Sequence, residues 1–350
     1  MFPTRYEVIE GPLNGGMGSV YKCKDVTLAR FVAIKVLQNV ADERRMADEI
    51  DALLKLRSKH VVQVYDLVPV EAGRAVVQEF IEGNDLWRRD GHPVSVAQKY
   101  RCLWQIASGI ADIHDAGVIH RDIKPNNMKI DPEGVIKIFD FGLARNNGVN
   151  ASTLGFIGTY GFAAPELFDG RVAFTPAVDT YAFGATAIHL IAGQLPEDMR
   201  RPMPPQALPV GFFERLNSGL SGDVVRLLEA CMHMDPSRRP LMASVRDELA
   251  KHLLFDKHQA LAVHKGHPYY LNKDNRTVSA RWDGVGSVRI TYDGMKFFVE
   301  EVEGEVFINY MPATANQLLP ESCVLALGAS TRGNMRMYIT FDLSRPEVVL

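Results

Sequence analysis

Four side chains that can do chemistry together lie on two loops around one predicted β-hairpin. Asp122, Lys124 and Asn127 precede the hairpin, and Asp140 follows it. The turn Asp131–Gly134 has Pro and Gly at positions that favour a tight reversal, so we expect the two loops to lie close together. Carboxylate and amide oxygens are ligands for divalent cations. The spacing therefore predicts a site that holds such cations and leaves one carboxylate as a general base.

The same residues carry a resemblance to a known family. His120–Asn127, of the form H-R-D-x-K-P-x-N, and Asp140–Gly142 resemble the catalytic loop and the metal motif of the protein kinase family. Lys124, at the fifth position of the first motif, is similar to the serine/threonine branch. The family's other motifs appear in order over residues 6–255, and the glycine-rich loop around Met17 looks like that of bacterial members of eukaryotic-like type.

The resemblance implies a role for each polar residue of these loops. Asp122 is the expected general base, or orienting group, for a substrate hydroxyl, and Lys124 would neutralise charge on the transferred phosphoryl group. Asn127 and Asp140 would bind Mg²⁺, with Mn²⁺ as an alternative ion. Thr159 would brace Asp122 and Lys124, which adds it to the expected catalytic set.

Two further segments resemble the nucleotide-binding parts of the family. The glycine-rich loop lets backbone N–H groups approach phosphates closely, although Leu13 stands where the family usually has its first glycine. Residues 77–81 resemble the strand and hinge that bind adenine through backbone groups, with polar Gln78 at a usually apolar position. The residues expected to bind ATP are Gly15, Gly16, Gly18, Val20, Ala33, Lys35, Glu79 and Ile81.

Lys35 and Glu49 form a second expected pair. Lys35 shares an apolar strand face with Ala33, and Glu49 shares a helix face with Leu53 and Leu56. A charge on an inward face needs a partner, so an ion pair would satisfy both, with Lys35 also reaching the α- and β-phosphates. The alternative is that both side chains are solvated at the surface.

Residues 158–166 resemble the end of the family's activation segment. In that resemblance Glu166 pairs with Arg239, and both residues are structural. Asp179 is polar in an otherwise apolar helix, so we expect it to accept N–H groups from the catalytic-loop backbone.

A polar stretch before this segment contains two hydroxyl residues, Ser152 and Thr153. We expect autophosphorylation at one or both, because a phosphate there would order the segment by pairing with Arg121. The alternative is that both are ordinary loop hydroxyls.

The expected fold class is an α+β two-lobed protein kinase fold followed by a small all-β, sandwich-like domain. The kinase domain would span residues 1–255, with a small lobe over 1–82 and a large lobe over 83–255. Apolar periodicity and capping signals predict helices at 41–57, 95–117, 175–193 and 241–255. Strands are predicted within 6–38 and at 61–68, 74–80, 128–130 and 135–138.

Residues 266–350 form the second expected domain, after a linker at 256–265. Alternating runs predict strands at 287–292, 295–302, 306–310, 324–327 and 335–341. The pattern is similar to a degenerate forkhead-associated domain, which implies phosphopeptide binding, with Lys273 or Arg276 contacting the phosphate. The alternative is a β-module for regulation, partner contacts or self-association.

Composition argues against several other classes of protein. A net charge of −3 over 350 residues gives no drive toward nucleic acid or an anionic membrane. No run approaches the roughly 18 apolar residues of a membrane span, and no secretory signal is visible. The four cysteines have no metal or disulfide spacing. These features predict a cytoplasmic protein with reduced thiols.

Three functions are compatible with the motifs. The first is an ATP- and Mg²⁺-dependent serine/threonine kinase acting on protein substrates, with a partner phosphatase for reversal. The second is a nucleotide-binding pseudokinase scaffold, which Leu13 and Gln78 favour and the intact charged residues oppose. The third is a small-molecule phosphotransferase, which the full activation segment opposes.

Overall fold

The computed structural model of the chain describes residues 2–15, 18–37, 50–71, 73–88, 92–141, 159–168, 175–201, 204–344, 346 and 348. The chain divides into two compact units, the first over residues 1–249 and the second over residues 250–349. Among the described helices, none combines the length and the apolar character needed to span a bilayer. The first unit combines a sheet with helices and the second is rich in β-strands, as the expected fold class requires.

The first unit begins with an antiparallel sheet of five strands in the order β1-β2-β3-β5-β4. Val32 and Ile34 pack with other apolar side chains on one face of the sheet, whereas Ala33 and Lys35 lie on the other face. A helix, α1, follows over residues 50–55 of the described chain, within the predicted 41–57. The strands are β1 (Tyr6–Gly15), β2 (Gly18–Asp25), β3 (Arg30–Leu37), β4 (Val64–Val70) and β5 (Gly73–Glu79).

Helices make up most of the rest of this unit. The first long helix starts with a capping box between Ser95 and Gln98, as its sequence predicts. The next long helix, which is buried nearly all round, ends at Gly193 with a φ of 82°. The helices are α2 (Val96–Asp115), α3 (Ala177–Ala192), α4 (Phe212–Arg215), α5 (Gly222–Cys231) and α6 (Met242–Leu254).

A small sheet of three strands carries the predicted hairpin: β6 (Asn84–Asp85), β7 (Met128–Ile130) and β8 (Ile136–Ile138). Asp131 Oδ1 closes the turn by accepting the N–H groups of Glu133 at 2.9 Å and Val135 at 2.8 Å. From α2, Gln105 accepts the N–H of Ile136 at 2.7 Å. The hairpin is therefore fixed both by its own turn and by a helix.

The second unit contains a six-stranded sheet in the order β10-β9-β17-β16-β14-β15 and a three-stranded sheet in the order β11-β12-β13. Both sheets contribute to one apolar core that includes Val288, Phe297, Leu325 and Phe341. The strands are β9 (Ala260–His264), β10 (His267–Leu271), β11 (Thr277–Trp282), β12 (Gly286–Tyr292), β13 (Phe297–Gly304), β14 (Val306–Ile308), β15 (Met311–Pro312), β16 (Ser322–Leu327) and β17 (Met337–Leu343).

The expectation of a linker at 256–265 was wrong for its second half. Residues 260–264 form β9, whose four pairs with β17 run from Ala260–Leu343 to Val263–Thr340. Sequence patterns near residue 260 did not reveal this strand because its partner lies far along the chain. β10 and β11 were also missed. The boundaries proposed for the two domains otherwise stay predictions.

Candidate active site

The carboxylate of Asp122 is buried and held by three side chains. Its Oδ1 accepts the hydroxyl of Thr159 at 3.0 Å. Its Oδ2 lies 2.8 Å from Lys124 Nζ and accepts Asn127 Nδ2 at 3.0 Å. Lys124 Nζ also donates to Thr159 Oγ1 at 2.7 Å, which links the three donors into one network. Charge-assisted hydrogen bonds of this kind fix the orientation of a carboxylate.

Asn127 serves both loops of the site. Its Nδ2 donates to the backbone oxygen of Asp122 at 2.8 Å as well as to the carboxylate. Its own backbone oxygen accepts the N–H of Phe139 at 2.9 Å. This bond holds the segment that precedes Asp140 next to the catalytic loop. Within the part of the chain that the structure describes, both bonds of its amide use Nδ2, so its Oδ1 can accept a further bond.

Lys35 reaches Asp140 across the cleft. The ammonium of Lys35, in β3, donates to the Oδ1 atom of Asp140, and the lysine side chain is 9% exposed. The expected partner Glu49 lies outside the described residues, so the Lys35–Glu49 pair stays a prediction. The surface alternative is wrong for Lys35, because its side chain is buried and paired.

Two non-glycine residues next to the acidic groups have left-handed backbone conformations. The φ angles are 69° at Arg121 and 65° at Asp140. Such conformations are costly and persist where the surroundings impose them. At Arg121 the surroundings are Asp179, whose carboxylate accepts the N–H of His120 at 2.8 Å and of Arg121 at 2.7 Å. The predicted role of Asp179 as an acceptor for this loop is confirmed.

Burial and hydrogen bonding set the charge states behind the loop. Burial alone would raise the pKa of the Asp179 carboxyl, but the hydrogen bond and charge of His114 and the N–H of His120 hold this pKa below its ordinary value. Burial lowers the pKa of the His120 imidazole. Its Nε2 lies 3.1 Å from the oxygen of Phe139. A neutral His120 and an ionised Asp179 therefore support the loop.

Three of the positions expected to line the nucleotide site, with Gln78, share one face of the first sheet. Val20 is the cross-strand partner of Lys35, and Ala33 is the partner of Gln78. Directly opposed residues project to the same side of a sheet, so these four side chains face one way. Gly15 and Gly18 are paired at the end of β1 and β2, whereas Gly16 lies outside the described residues.

The two hinge positions differ in their surroundings. Ile81 is buried. The carboxylate of Glu79 lies 2.9 Å from Lys137 Nζ and accepts the N–H of Gln63 at 3.2 Å. The backbone N–H of Glu79 is also occupied, because it donates to Gln63 at 2.8 Å. The side chain and the N–H of Glu79 thus hold the hinge strand in place.

Glu166 and Arg239 form a buried bidentate ion pair, as expected. The two nitrogen–oxygen distances are 2.6 Å and 2.8 Å, and the arginine side chain is fully buried. Arg239 also donates to the oxygens of Ala177 and His233. The residues expected to be phosphorylated, Ser152 and Thr153, lie outside the described part of the chain.

Sequence reasoning missed two residues that support the site. Gln105 is buried in α2 and bonds the end of the hairpin turn at Gly134 and the start of β8 at Ile136. His114 lies 3.0 Å from Asp179 through Nε2. Gln105 stands out as a polar residue on an apolar helix face, which is the signal that identified Asp179. His114 carries no comparable signal because it lies at a helix end, where polar residues are common.

In the second unit, one of the two residues expected to contact phosphate is already paired. The guanidinium of Arg276 binds both carboxylate oxygens of Asp256, at 2.7 Å and 2.8 Å. Lys273 lies on the neighbouring turn, which Asn272 closes through its side-chain oxygen. Because Arg276 is already paired with Asp256, Lys273 is the better candidate of the two for a contact with phosphate.

Comparisons with known proteins agree with this geometry. The family model for the protein kinase domain matches residues 11–252. The probable serine/threonine-protein kinase pknA2 of Bifidobacterium longum is 30% identical over 249 residues, which is 68% of this chain and 31% of that protein. PknA of Corynebacterium glutamicum is 33% identical over 249 residues, 65% of this chain and 51% of the relative. PrkC of Bacillus subtilis is 33% identical over 203 residues, 55% and 31% of the two chains.

The chain therefore belongs to the protein kinase family. The relatives named are bacterial serine/threonine kinases, which confirms the branch expected from Lys124 and the glycine-rich loop. The matched region spans between about a third and a half of the length of these three relatives. The forkhead-associated resemblance of the second unit stays a prediction.

Proposed function

We propose that the protein is an ATP- and Mg²⁺-dependent serine/threonine protein kinase that transfers the γ-phosphate of ATP to protein hydroxyls. The observation that carries this proposal is the Asp122 carboxylate, held by Thr159, Lys124 and Asn127 in one network. A carboxylate fixed in this way can orient a substrate hydroxyl and accept its proton. Lys124 stands beside it as the cation for negative charge that develops on the phosphoryl group.

The residues present fit a divalent cation. Among the described residues, Asn127 Oδ1 and Asp140 Oδ2 have no hydrogen-bond partner, and both are the hard oxygen donors that Mg²⁺ or Mn²⁺ takes. Bound metal would neutralise charge on the phosphates. Lys35 holds the other oxygen of Asp140, and this ammonium is also the group proposed to bind the α- and β-phosphates.

The test is transfer of labelled γ-phosphate to the protein itself and to a generic protein substrate. Asp122→Asn should reduce transfer by about 10²–10⁴-fold, the usual contribution of a general base. Binding of a fluorescent ATP analogue should change little. Asp283→Asn, at an aspartate whose side chain is 87% exposed in the second unit, is the matched control.

The outcomes separate the competing functions. Nucleotide binding with no transfer under any condition would favour the pseudokinase scaffold. Transfer to sugars or aminoglycosides, with none to protein, would favour the small-molecule phosphotransferase. Equal transfer by wild type and Asp122→Asn would remove Asp122 from the proposed chemistry.

The regulatory part of the proposal concerns Ser152 and Thr153. We propose that one or both are autophosphorylated and that Arg121 then binds the phosphate. Mass spectrometry of active enzyme should find phosphate at one of these positions, and finding both unmodified would contradict it. A cognate phosphatase and a cytoplasmic location also belong to this proposal.

The second unit is proposed to regulate the kinase or recruit partners. If it binds phosphothreonine peptides, Lys273→Ala should abolish the binding, whereas Lys265→Ala, on the turn at the other end of β10, should not. No binding of any phosphopeptide to the intact chain would restrict the unit to contacts with unmodified proteins.

A further inference from the structure

The outer face of the six-stranded sheet carries a group of apolar side chains, three of which are well exposed to solvent. We define this outer sheet face by Leu261, Val263, Tyr270, Phe307, Val324 and Tyr338, which the strand register places on the same side. Tyr270 is 47% exposed, Tyr338 45% and Val324 40%. The alternate residues, among them Ala262, Leu325 and Phe341, fill the core beneath. The register places Thr340 between Val263 and Val324, so the apolar side chains surround one threonine. Exposed apolar surface of this kind marks an interaction site more often than a free surface.

Two charges of opposite sign lie at the ends of this face, Arg336 directly before β17 and Asp342 within it. The guanidinium of Arg336 is 5.4 Å from the ring centroids of both Phe307 and Tyr338, and its Nε donates to Gly328 at 2.8 Å. Asp342 is exposed at the other end. Across the described chain, neither side chain has an ion-pair partner. Each charge is therefore available to a group outside the unit.

The strand edges of this sheet are poor sites for association. One edge is β10, which contains Pro268, and the other is the two-residue β15, which contains Pro312. Proline lacks the N–H group that an added strand would need, and short or proline-containing edges disfavour edge-to-edge pairing. Association through this sheet should therefore use its face.

We propose that the outer sheet face is the contact surface of a homodimer. Arg336 and Asp342 are each three residues from Ile339 and share a face with Tyr338 and Thr340. A two-fold axis that lies between the two facing sheets, perpendicular to β17 and over Ile339, reverses the direction of β17 in the second copy. Arg336 of each copy then meets Asp342 of the other. One self-complementary surface thus makes the same ion pair twice, as isologous contacts do.

The chemistry of the face suits this occupant. Tyrosine, phenylalanine and arginine are enriched at interfaces, and here they surround the two charges. The parallel arrangement would place Arg336 against Arg336, a like-charge contact that disfavours it. Strand spacing and rise give a face of about 20 Å by 20 Å, which is about half the area per partner of a standard specific interface. We therefore expect a reversible dimer in the micromolar range.

The test is the mass of the full chain in solution, measured by analytical ultracentrifugation over a concentration series. Wild type should pass from monomer to dimer as concentration rises. Arg336→Glu and Asp342→Arg should each shift this transition to at least tenfold higher concentration. An equimolar mixture of the two variants should form heterodimers, because the two introduced charges are opposite and meet in one contact, while the unchanged Arg336 and Asp342 meet in the other.

Controls separate a lost contact from a lost fold. The double variant Arg336→Glu/Asp342→Arg should recover the wild-type transition, since the pair is only reversed. Arg281→Glu makes the same charge change on the three-stranded sheet, at an arginine whose side chain is 78% exposed, and should leave the mass unchanged. Circular dichroism should give every variant the spectrum of wild type.

Several results would overturn the proposal. These are a wild-type chain that stays monomeric at all concentrations, a dimer that survives both single variants, and a variant mixture that fails to pair. A heterologous protein bound at Tyr338 in place of a second copy would also overturn it. Phosphate transfer plays no part in this readout, so failure here leaves the proposed kinase function untouched.

Discussion

Asp122 owes its orientation to its neighbours, because a free carboxylate would rotate among several positions. Thr159 is the neighbour that joins the catalytic loop to the end of the activation segment, since its hydroxyl accepts Lys124 and donates to Asp122. It lies 37 residues further along the chain than Asp122. The position of the end of the activation segment is thereby linked to the geometry of the base.

Removing this hydroxyl should slow transfer without preventing nucleotide binding. Thr159→Val keeps the shape but loses both hydrogen bonds, each to a charged group and worth about 1.5–3 kcal/mol. We expect kcat to fall by about 10–100-fold, with little change in KM for ATP. Thr159→Ser restores the hydroxyl and should recover most of the rate. Equal rates for the Val and Ser variants would contradict the bridging role.

His189 on α3 lies in an aromatic cluster that sequence analysis did not identify. Its ring stacks on Trp87 at 4.5 Å, meets His92 edge-on at 4.9 Å and lies 6.3 Å from Phe162. Burial, with the neighbouring charge of His92, lowers the pKa of His189 to about 4. The imidazole is therefore neutral in the folded protein well below the pH at which a free histidine takes up a proton.

This depressed pKa gives a stability effect on the acidic side. Below about pH 6.5 the unfolded chain takes up a proton that folded His189 refuses until about pH 4, so stability falls as pH falls through that window. Between pH 7 and pH 5 the loss is on the order of 2 kcal/mol. His189→Phe should remove this loss. The free energy of unfolding in urea, measured at pH 7 and pH 5 for both chains, would show it.

Other buried histidines also lower stability at acidic pH, in wild type and in His189→Phe alike. His60 and His120 also have a lowered pKa because they are buried, so the comparison depends on the difference between wild type and variant. A decline of the same size in His189→Phe would show that His189 does not contribute.

At the scale of elements, the start of α3 holds the backbone of the catalytic loop in place. Asp179 in its first turn holds the loop backbone, and the oxygen of Ala177 accepts Arg239 at 2.9 Å. The Glu166–Arg239 pair then attaches the end of the activation segment to the same helix start. One helix end thus positions two segments that are distant in sequence.

Breaking the Glu166–Arg239 pair should lower the stability of the fold, and the loss should depend on which of the two residues is replaced. Removing one partner of a buried ion pair costs about 3–5 kcal/mol. Arg239→Met should destabilise more than Glu166→Gln, because Arg239 also satisfies the oxygens of Ala177, His233 and Met234.

Thermal unfolding should rank the two variants in this order. The double variant Glu166→Met/Arg239→Met should lose less stability than the sum of the single changes, since it leaves no isolated charge. Strict additivity would mean that the pair is not coupled.

Elements were predictable from sequence where local chemistry determines them. The β7–β8 hairpin follows from a turn closed by Asp131, and α2 from the Ser95–Gln98 capping box. β9 escaped prediction because its pairing with β17 joins residues 77 to 83 positions apart. β11 alternates, with Val278 and Ala280 inward, so its period-two pattern is present in the sequence itself.

Across the whole molecule, the thiols share one property. Cys23, Cys102, Cys231 and Cys323 are all buried and free. Burial raises the pKa of Cys23 and Cys323 to about 11 and that of Cys102 and Cys231 to about 12. Since the thiolate is the reactive form, we expect no alkylation by iodoacetamide at pH 8 in the folded chain and four modifications after unfolding.

Intact mass spectrometry before and after denaturant measures this directly. Cys231→Ser should reduce the denatured count by one, which calibrates the assay. Rapid labelling of a folded thiol would contradict the uniform burial, and the labelled cysteine would identify the unit that opens.

The two units differ in how far sequence predicts them. In the first unit a family pattern located Asp122, Asn127, Lys35 and Arg239, although it did not reveal the contact between Lys35 and Asp140. That contact depends on how far the cleft is closed, which no local pattern encodes. In the second unit only strand alternation was available, and it predicted the class of fold without the partner of each strand.

The pairing of β9 with β17 has a consequence for synthesis of the chain. β9 leaves the ribosome first among the strands of its sheet, and the strand that fills the gap between it and β16 leaves last. A nascent chain that stalls before Met337 holds two open strand edges and an uncovered core, which are features that promote aggregation. Truncations that remove β17 should therefore be far more damaging than their few residues suggest.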